Sequence, residues 1–303
     1  MRTYRYLHLD VFTDRPLQGN QLAVFPNAAN LEPVLMQSIA LEMAFSETTF
    51  VLPPETSDTH ARVRIFTPRD EIPMAGHPTI GTTFALAHEG TLAPEQKSIT
   101  LGLGIGPTLV RLEWKAGRLH FAWMTQPIPE FGAIPANTGD LAGALGVKEA
   151  DIRDTGLPVQ VASSGVPFLY VPMSSRDAVN RAELERGAFV RFCRAAGLQE
   201  FPVFLFSLES TGDGATVFSR MFAPGFGVTE DAGTGGASGP LGGYLVHHGA
   251  VSTEQAARMV SLQGVKMGRP SEIHISIAAR DRQITDVRVG GQAVLVAEGT
   301  LSL

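Results

Sequence analysis

Three side chains in the sequence are suited to proton transfer, and the first of them is Glu47. It follows the end of a predicted helix, residues 31–43, and precedes an apolar predicted strand, residues 48–52. A carboxylate held against apolar surface tends to have a raised pKa, which suits general acid–base chemistry near neutral pH. A solvated or helix-capping surface glutamate is the alternative interpretation.

His77 and Asp231 are the other two candidates, and each lies at a glycine-rich elbow that opens a predicted helix. His77 stands between Gly76 and Pro78, where an imidazole could hold or protonate a substrate oxygen. Asp231 could orient that histidine or share its proton. Both have structural alternatives, since an isolated histidine is often a core residue and an aspartate here could be an N-cap or Asx-turn residue.

The second elbow, residues 234–237, has the sequence Thr-Gly-Gly-Ala. A loop so poor in side chains exposes backbone N–H groups at a helix N-terminus, which favours binding of an anion or stabilisation of an oxyanion. The glycines could also serve turn geometry alone. A carboxylate beside such a loop indicates a site.

The two elbows belong to an internal repeat. Gly76, His88 and Gly90 precede equivalent residues by 159 positions, and a looser match relates residues 19–25 to residues 165–171 at an offset of 146. Two structurally equivalent halves are expected to follow, although chance recurrence is the alternative in a chain with 32 glycines. Two helix N-termini that face each other across a pseudo-twofold axis would form one cleft between domains.

Hydrophobic periodicity predicts mostly strands around one or two helices in each half. The predicted helices cover residues 31–43, 76–90, 181–196, 235–249 and 253–260. The predicted strands cover residues 4–11, 21–25, 48–52, 60–66, 98–123 in several pieces, 159–162, 168–171, 203–207, 215–222, 272–277 and 284–289. This pattern would suit an α+β fold in which a strand-rich barrel wraps a central helix.

We therefore predict two pseudo-symmetric domains, residues 1–127 and 128–303, each a β-barrel around a central α-helix. The stiff segment Pro127-Ile128-Pro129 is the expected crossing, and a last strand at about residues 291–303 is expected to return to the first domain.

Composition excludes several classes of protein. The chain has 303 residues and a net charge of −6 without a Lys/Arg run, which argues against nucleic-acid binding. Apolar runs fall short of the roughly 20 residues of a membrane helix, and the first residues form a strand pattern without an apolar signal core. One cysteine, Cys193, which we expect in the core, favours a cytoplasmic location. Phosphate-loop, CxxC and zinc-type histidine motifs are missing, and Gly102-x-Gly104-x-Gly106 does not fit a dinucleotide fingerprint.

Several motifs, spread over residues 10–270 in the right order, resemble the phenazine-biosynthesis isomerase-like (PhzF-like) family. That family is related to diaminopimelate epimerase and proline racemase. The matching segments are residues 10–16 with 19–20, 46–51, 76–79, 163–169, 220–224, 230–235 and 263–270.

The resemblance implies a small-molecule isomerase without metal or organic cofactor, often a homodimer, with its site between two barrel domains. Glu47 matches a glutamate that moves a proton between two carbons of a dihydro-hydroxyanthranilate, while His77 and Asp231 match residues that assist. The positions that match substrate-binding groups are Asn20, Ser46, Gly76, Thr234, Gly235 and Gly236. We expect no nucleic-acid or membrane partner.

Two departures from related patterns refine this expectation. The racemase and epimerase relatives carry a cysteine at each elbow, where this chain has His77 and Asp231, so a two-thiol racemase is excluded. The family commonly has Ser where this chain has Gly236, which removes a donor worth about 1–3 kcal/mol to a charged acceptor. We therefore expect a related small carboxylated substrate, with a lyase or hydratase, or a silent binding protein, as alternatives.

Overall fold

A computed structural model describes residues 2–280 and 283–303. These residues form a mixed α/β fold with one large sheet and several helices. In the first part of the chain the elements are β1 (Thr3–Val11), β2 (Asn20–Phe25), α1 (Pro33–Met43), β3 (Glu47–Leu52), β4 (Ala61–Phe66), β5 (Glu71–Ile72), α2 (Gly76–His88), β6 (Ser98–Leu103), β7 (Gly106–Lys115) and β8 (Arg118–Thr125).

The second part of the chain is richer in short helices. Its elements are β9 (Glu130–Phe131), α3 (Thr138–Ala144), α4 (Glu149–Arg153), β10 (Gln160–Ser163), β11 (Pro167–Pro172), α5 (Arg176–Arg181), α6 (Arg186–Ala195), β12 (Val203–Ser207), β13 (Val217–Ala223), a short 3₁₀ helix (Pro224–Phe226), β14 (Val228–Asp231), α7 (Gly235–His247), α8 (Thr253–Ala256), β15 (Met259–Gln263), β16 (Ser271–Arg280), β17 (Gln283–Gly291) and β18 (Ala293–Ser302).

Strand pairing connects the two parts of the chain. β1 lies between β2 and β18 and runs antiparallel to both. β17 pairs with β8 through residues such as Val289 and Met124. Parallel pairs occur as well, including β2 with β3 and β13 with β15. Strands from the last part of the chain therefore complete a sheet that also contains strands from the first part.

The helices α2 and α7 lie inside their strands because nearly every position on them is small or apolar. α2 contacts β1, β2, β3 and β8, and α7 contacts β10, β11, β16 and β17. Close packing requires glycine here, since an added Cβ on Gly81 of α2 would lie 2.5 Å from Leu22, and one on Gly242 of α7 would lie 2.7 Å from Ile275. A helix without a polar face is stable only when it is buried in this way.

The two buried helices match each other at the offset of 159. Each has 13 residues. The hydroxyls of Thr79 and Ser238 donate to the carbonyl oxygens four residues earlier, at 2.6 and 3.0 Å. The chain leaves both helices through a left-handed glycine, Gly90 at φ 70° and Gly249 at φ 68°. These equivalent positions set two similar helix N-termini at the centre of the molecule.

Two predicted helices differ from the structure. The prediction of one helix over residues 181–196 is wrong, because the chain is extended at Ala182 (φ −59°, ψ 133°) and α6 starts afresh after Glu185, whose carboxylate accepts from the N–H groups of Gly187 and Ala188. The prediction for residues 253–260 is too long, since Met259 already belongs to β15. α3, α4 and β14 were not predicted.

Two further observations concern the remaining predictions. Cys193 is buried beside Phe189 and Phe192 in the core that α6 covers, as expected. Among the helices of the described residues, none has the length and apolar character required to cross a bilayer.

Candidate active site

Glu47, His77 and Asp231, which are far apart in sequence, meet at one place. α1 ends at Met43, Ala44 takes a left-handed conformation (φ 54°), and the chain enters β3 at Glu47. His77 is the second residue of α2, and Oε2 of Glu47 lies 3.3 Å from its Nε2 atom. Neither of these two buried atoms has a hydrogen-bond partner in the described part of the chain. Both are therefore available to a bound substrate.

Asn20 connects His77, Asp231 and Ser46, the residue that precedes Glu47. Its Nδ2 atom lies 2.8 Å from Asp231 Oδ1 and 3.1 Å from His77 Nδ1, and its Oδ1 accepts from the Ser46 hydroxyl at 3.1 Å. Asn20 is only 4% exposed. Its amide is thus occupied by protein groups and fixes the relative positions of His77, Asp231 and Ser46.

The Asp231 carboxylate accepts hydrogen bonds at both oxygens. Besides Asn20, the Thr234 hydroxyl donates to its Oδ2 at 2.6 Å. The neighbouring Glu230 forms a buried two-point ion pair with Arg220, both contacts being 2.8 Å, and this pair ties β14 to β13. A carboxylate that accepts hydrogen bonds at both oxygens keeps a fixed orientation beside the other two groups.

Burial gives Glu47 and His77 shifted pKa values of opposite sign. Loss of solvation raises the pKa of Glu47 to about 8, the negative charge of Asp231 raises it further, and the neighbouring Ser46 hydroxyl opposes the rise. Burial lowers the pKa of His77 to about 4, although Asp231 and the backbone of Gln21 work in the other direction. Near neutral pH the histidine is therefore uncharged, and Glu47 can both hold and release a proton.

The N-termini of α2 and α7 touch directly beside these side chains. An added Cβ on Gly76 would lie 2.3 Å from the carbonyl carbon of Gly235, so the close approach requires glycine. The N-cap residues Ala75 and Thr234 make no side-chain cap hydrogen bond to their helices. Uncapped N–H groups and two helix dipoles point to the same spot, which is the usual arrangement of an anion-binding site.

A cavity of about 80 Å³ lies where these features converge. Its polar wall contains predicted site residues, namely Ser46, Glu47, Gly76, His77, Asp231, Thr234, Gly235 and Gly236. Its other wall is mainly apolar and consists of Ile72, Met74, Val166, Phe168, Pro202, Met221, Ala223, Phe226 and Val228. Asn20 does not line this cavity but borders an adjoining groove.

Sequence reasoning missed the apolar wall and Gln263. The wall residues come from β5, β11, β13 and the segments beside them, and an ordinary apolar strand pattern gives no sign that one position faces a cavity. Gln263 is fully buried, and its side chain bonds to Asp231 and Thr234. Its place in the family-like segment of residues 263–270 was the available signal, but its partners lie 32 and 29 residues earlier in the chain.

The side chains and helix ends around the cavity define a class of protein. One largely apolar cavity contains a buried carboxyl with a raised pKa, a neutral imidazole and two uncapped helix N-termini. This arrangement is typical of an enzyme that transfers protons on a small acid.

Comparisons with known proteins agree with that class. The family model described as phenazine biosynthesis-like protein matches residues 9–299. Trans-2,3-dihydro-3-hydroxyanthranilate isomerase of Pseudomonas fluorescens is 37% identical, over 99% of this chain and all of that protein. A Bacillus anthracis phenazine biosynthesis protein of the PhzF family has a structure with TM-score 0.87, 27% identity and full coverage of both chains.

A more distant structure shares the fold alone. A hydroxyproline epimerase from Agrobacterium vitis superposes with TM-score 0.67 at 13% identity, over all of this chain and 93% of its own. The chain described here belongs to the phenazine biosynthesis-like (PhzF-like) family. The prediction of an isomerase of this family is confirmed, and the fold shared with the epimerase is consistent with the predicted epimerase-like fold.

Proposed function

We propose that this protein is an isomerase that works without metal or organic cofactor, with Glu47 carrying a proton between two carbons of a small carboxylated substrate. One observation supports this most strongly. The unpartnered Oε2 of Glu47 and Nε2 of His77 lie 3.3 Å apart, next to two uncapped helix N-termini. A substrate carboxylate held by the backbone of Gly76 and Gly235 would place its carbon skeleton against Glu47.

The reaction needs no outside reactant. Ionised Glu47 accepts a proton from an allylic carbon, and the electron pair of that C–H bond moves into the conjugated system. The carboxyl of Glu47 then returns the proton to another carbon on the same face, so the double bonds move and the atoms balance. His77 donates a hydrogen bond to a substrate oxygen, and Asp231 holds the arrangement through its charge.

The substrate class follows from the cavity and the relatives. Relatives are named for trans-2,3-dihydro-3-hydroxyanthranilate, which is an unsaturated ring with a carboxylate. Gly236 offers no side-chain donor, and most of the remaining wall is apolar. We propose a related small unsaturated carboxylate, with dihydro-hydroxyanthranilate as the first compound to test.

The larger-scale organisation belongs to the same proposal. We propose that residues 1–127 and 128–303 are two barrel domains, each wrapped around one of the helices α2 and α7, with the site in the cleft between them. The 159-residue match of the two helices supports this division, and the pairing of β18 with β1 supports the predicted return of the last strand to the first domain. A cytoplasmic homodimer is the accompanying prediction.

Deuterium incorporation tests the proposed chemistry. The protein is incubated in D₂O with dihydro-hydroxyanthranilate and a panel of unsaturated carboxylic acids, and carbon-bound deuterium and product are followed together by mass spectrometry. We expect product formation with the wild type and a loss of at least about a thousandfold in Glu47→Gln, since the shuttle itself is removed.

Product must be measured beside the label because a proton passed internally escapes exchange with D₂O. Full activity of Glu47→Gln would refute the shuttle. Saturable binding with neither label nor product across the panel would identify a binding protein, and gain or loss of water in the product would identify a hydratase or lyase.

A further inference from the structure

Gln263 is fully buried at the end of β15, and its side-chain amide forms hydrogen bonds with the loop of residues 231–234. Nε2 donates to the carbonyl oxygen of Asp231 and to the hydroxyl of Thr234, both at 2.8 Å, and Oε1 accepts from the backbone N–H of Thr234 at 3.0 Å. The backbone N–H of Thr234 faces Oε1 and the carbonyl oxygen of Asp231 faces Nε2, so the orientation of the Gln263 amide is fixed.

These contacts also fix the direction of the hydrogen bonds in the site. The Thr234 hydroxyl accepts from Gln263, so its own proton points to Oδ2 of Asp231 at 2.6 Å. Oδ1 of Asp231 accepts from Asn20 at 2.8 Å. Asp231 is therefore held from three sides, by Asn20 and Thr234 at its carboxylate and by Gln263 at its backbone.

Asp231 needs a fixed position because a second carboxylate, that of Glu47, lines the same cavity. The titratable residues that line it are Glu47 from β3, His77 from α2 and Asp231 from β14. Outside its wall, Glu230 is neutralised by Arg220. When Glu47 ionises it faces Asp231 while His77 stays uncharged, so the two carboxylates repel each other across a site shielded from solvent.

We propose that Gln263 is a positioning residue, which holds the loop of residues 231–234 so that Asp231 stays beside Glu47 and His77 against this repulsion. The inference rests on the proposed role of Glu47 as the proton carrier. Gln263 itself need not touch the substrate. It acts through Thr234 and the backbone of Asp231, and it thereby sets how readily Glu47 gives up its proton.

The test is an infrared titration that needs no substrate. The C=O stretch of protonated Glu47 is assigned by its loss in Glu47→Gln, and its midpoint in the wild type is expected near pH 8. Asp231→Asn removes the repelling charge and gives the largest downward shift. Gln263→Met lets the loop move away when Glu47 ionises, so its midpoint should fall between those two, about half a pH unit below the wild type.

Two other variants secure the interpretation. Thr234→Val removes the hydroxyl link but leaves Gln263, so it should shift the midpoint in the same direction, and it carries the test if Gln263→Met does not fold. Gln160→Met is the matched control, because Gln160 is also a buried glutamine bonded to a backbone carbonyl, that of Gly132, away from the cavity. It should lower stability without moving the midpoint.

The inference is overturned if Gln263→Met titrates at the wild-type midpoint while Asp231→Asn shifts, or if Asp231→Asn itself has no effect. Failure of the proposed function is a separate result, since it appears as full turnover in Glu47→Gln, which this titration does not measure.

Discussion

Glu47 and His77 form a contact of ion-pair length in which the neutral forms of both residues are favoured. Burial raises the pKa of the carboxyl to about 8 and lowers that of the imidazole to about 4. Asp231 adds a negative charge, which opposes ionisation of Glu47, and among the described residues that line the cavity there is no Lys or Arg. Near pH 7 the carboxyl of Glu47 is therefore mostly protonated, and the ionised fraction that can accept a proton grows as the pH approaches 8.

This assignment predicts the pH dependence of catalysis. Proton abstraction requires ionised Glu47, so kcat/KM with an accepted substrate should rise about tenfold per pH unit below the pKa and become constant above it. The pKa of about 8 places the bend there. His77, with its pKa near 4, adds no bend between pH 5 and 9. Initial rates in constant-ionic-strength buffers measure the profile.

Ser46→Ala provides the matched comparison for this profile. The Ser46 hydroxyl next to Glu47 lowers the pKa of Glu47, so its loss should move the bend to higher pH. A profile that is flat from pH 6 to 9 in the wild type would contradict the assignment of Glu47 as the base.

At the scale of elements, the abutting N-termini of α2 and α7 explain why one elbow glycine is required and another is not. An added Cβ on Gly76 would collide with the backbone of Gly235 at 2.3 Å. One on Gly236 would meet only the backbone nitrogen of Gly76, at an ordinary 3.8 Å. Packing therefore requires glycine at Gly76, whereas Gly236 leaves space in the cavity that it lines.

The two positions should therefore respond differently to the same substitution. Gly76→Ala should lower the free energy of unfolding by about 1–3 kcal/mol or more, because backbone has to move. Gly236→Ala should leave it unchanged or raise it by up to about 1 kcal/mol, because alanine suits a helix better. Urea unfolding measures both, and equal destabilisation would contradict this account of the elbow.

The sequence predicts the elements whose signals are local. The alternating pattern before Val11 and the glycine after α7 each sufficed to place an element. The break at Ala182 could not be predicted, because it depends on Glu185 as an N-cap, a role that glutamate seldom has. α3, capped by Asn137, is short and carries a weak pattern.

The site divides in the same way. Glu47, His77 and Asp231 were predicted from their places beside elbows and helix ends, and the structure places them together around one cavity. Asn20 was predicted as a substrate-binding position through the family resemblance alone, and its bond to Asp231 across 211 positions, like the bonds of Gln263, joins residues far apart in the chain. Such contacts follow from the tertiary fold and leave no local pattern.

At the scale of the whole molecule, the two halves share structure that neither completes alone. β18 follows β17 yet pairs with β1 from Ala293 to Ser302. β17 itself pairs with β8. Arg269 reaches back to the buried carboxylate of Asp10 and donates to the carbonyl oxygen of Gly19 at 2.8 Å, next to Asn20. The halves are therefore expected to unfold together, although each has a helix-centred core.

A core substitution in the second half tests this coupling from the first half. Both tryptophans, Trp114 and Trp123, lie in β7 and β8, so their fluorescence reports on the first half. Leu241 is fully buried in α7, and Leu241→Ala should cost about 2–5 kcal/mol. If the shared strands couple the halves, urea midpoints from tryptophan fluorescence and from far-ultraviolet circular dichroism should fall together. Leu22→Ala in the first half is the matched control, which must move the tryptophan signal in either case. The opposite outcome is a tryptophan midpoint that stays at the wild-type value in Leu241→Ala, together with a biphasic circular dichroism curve. It would mean that the halves unfold independently and that the strands shared between them add little to their stability.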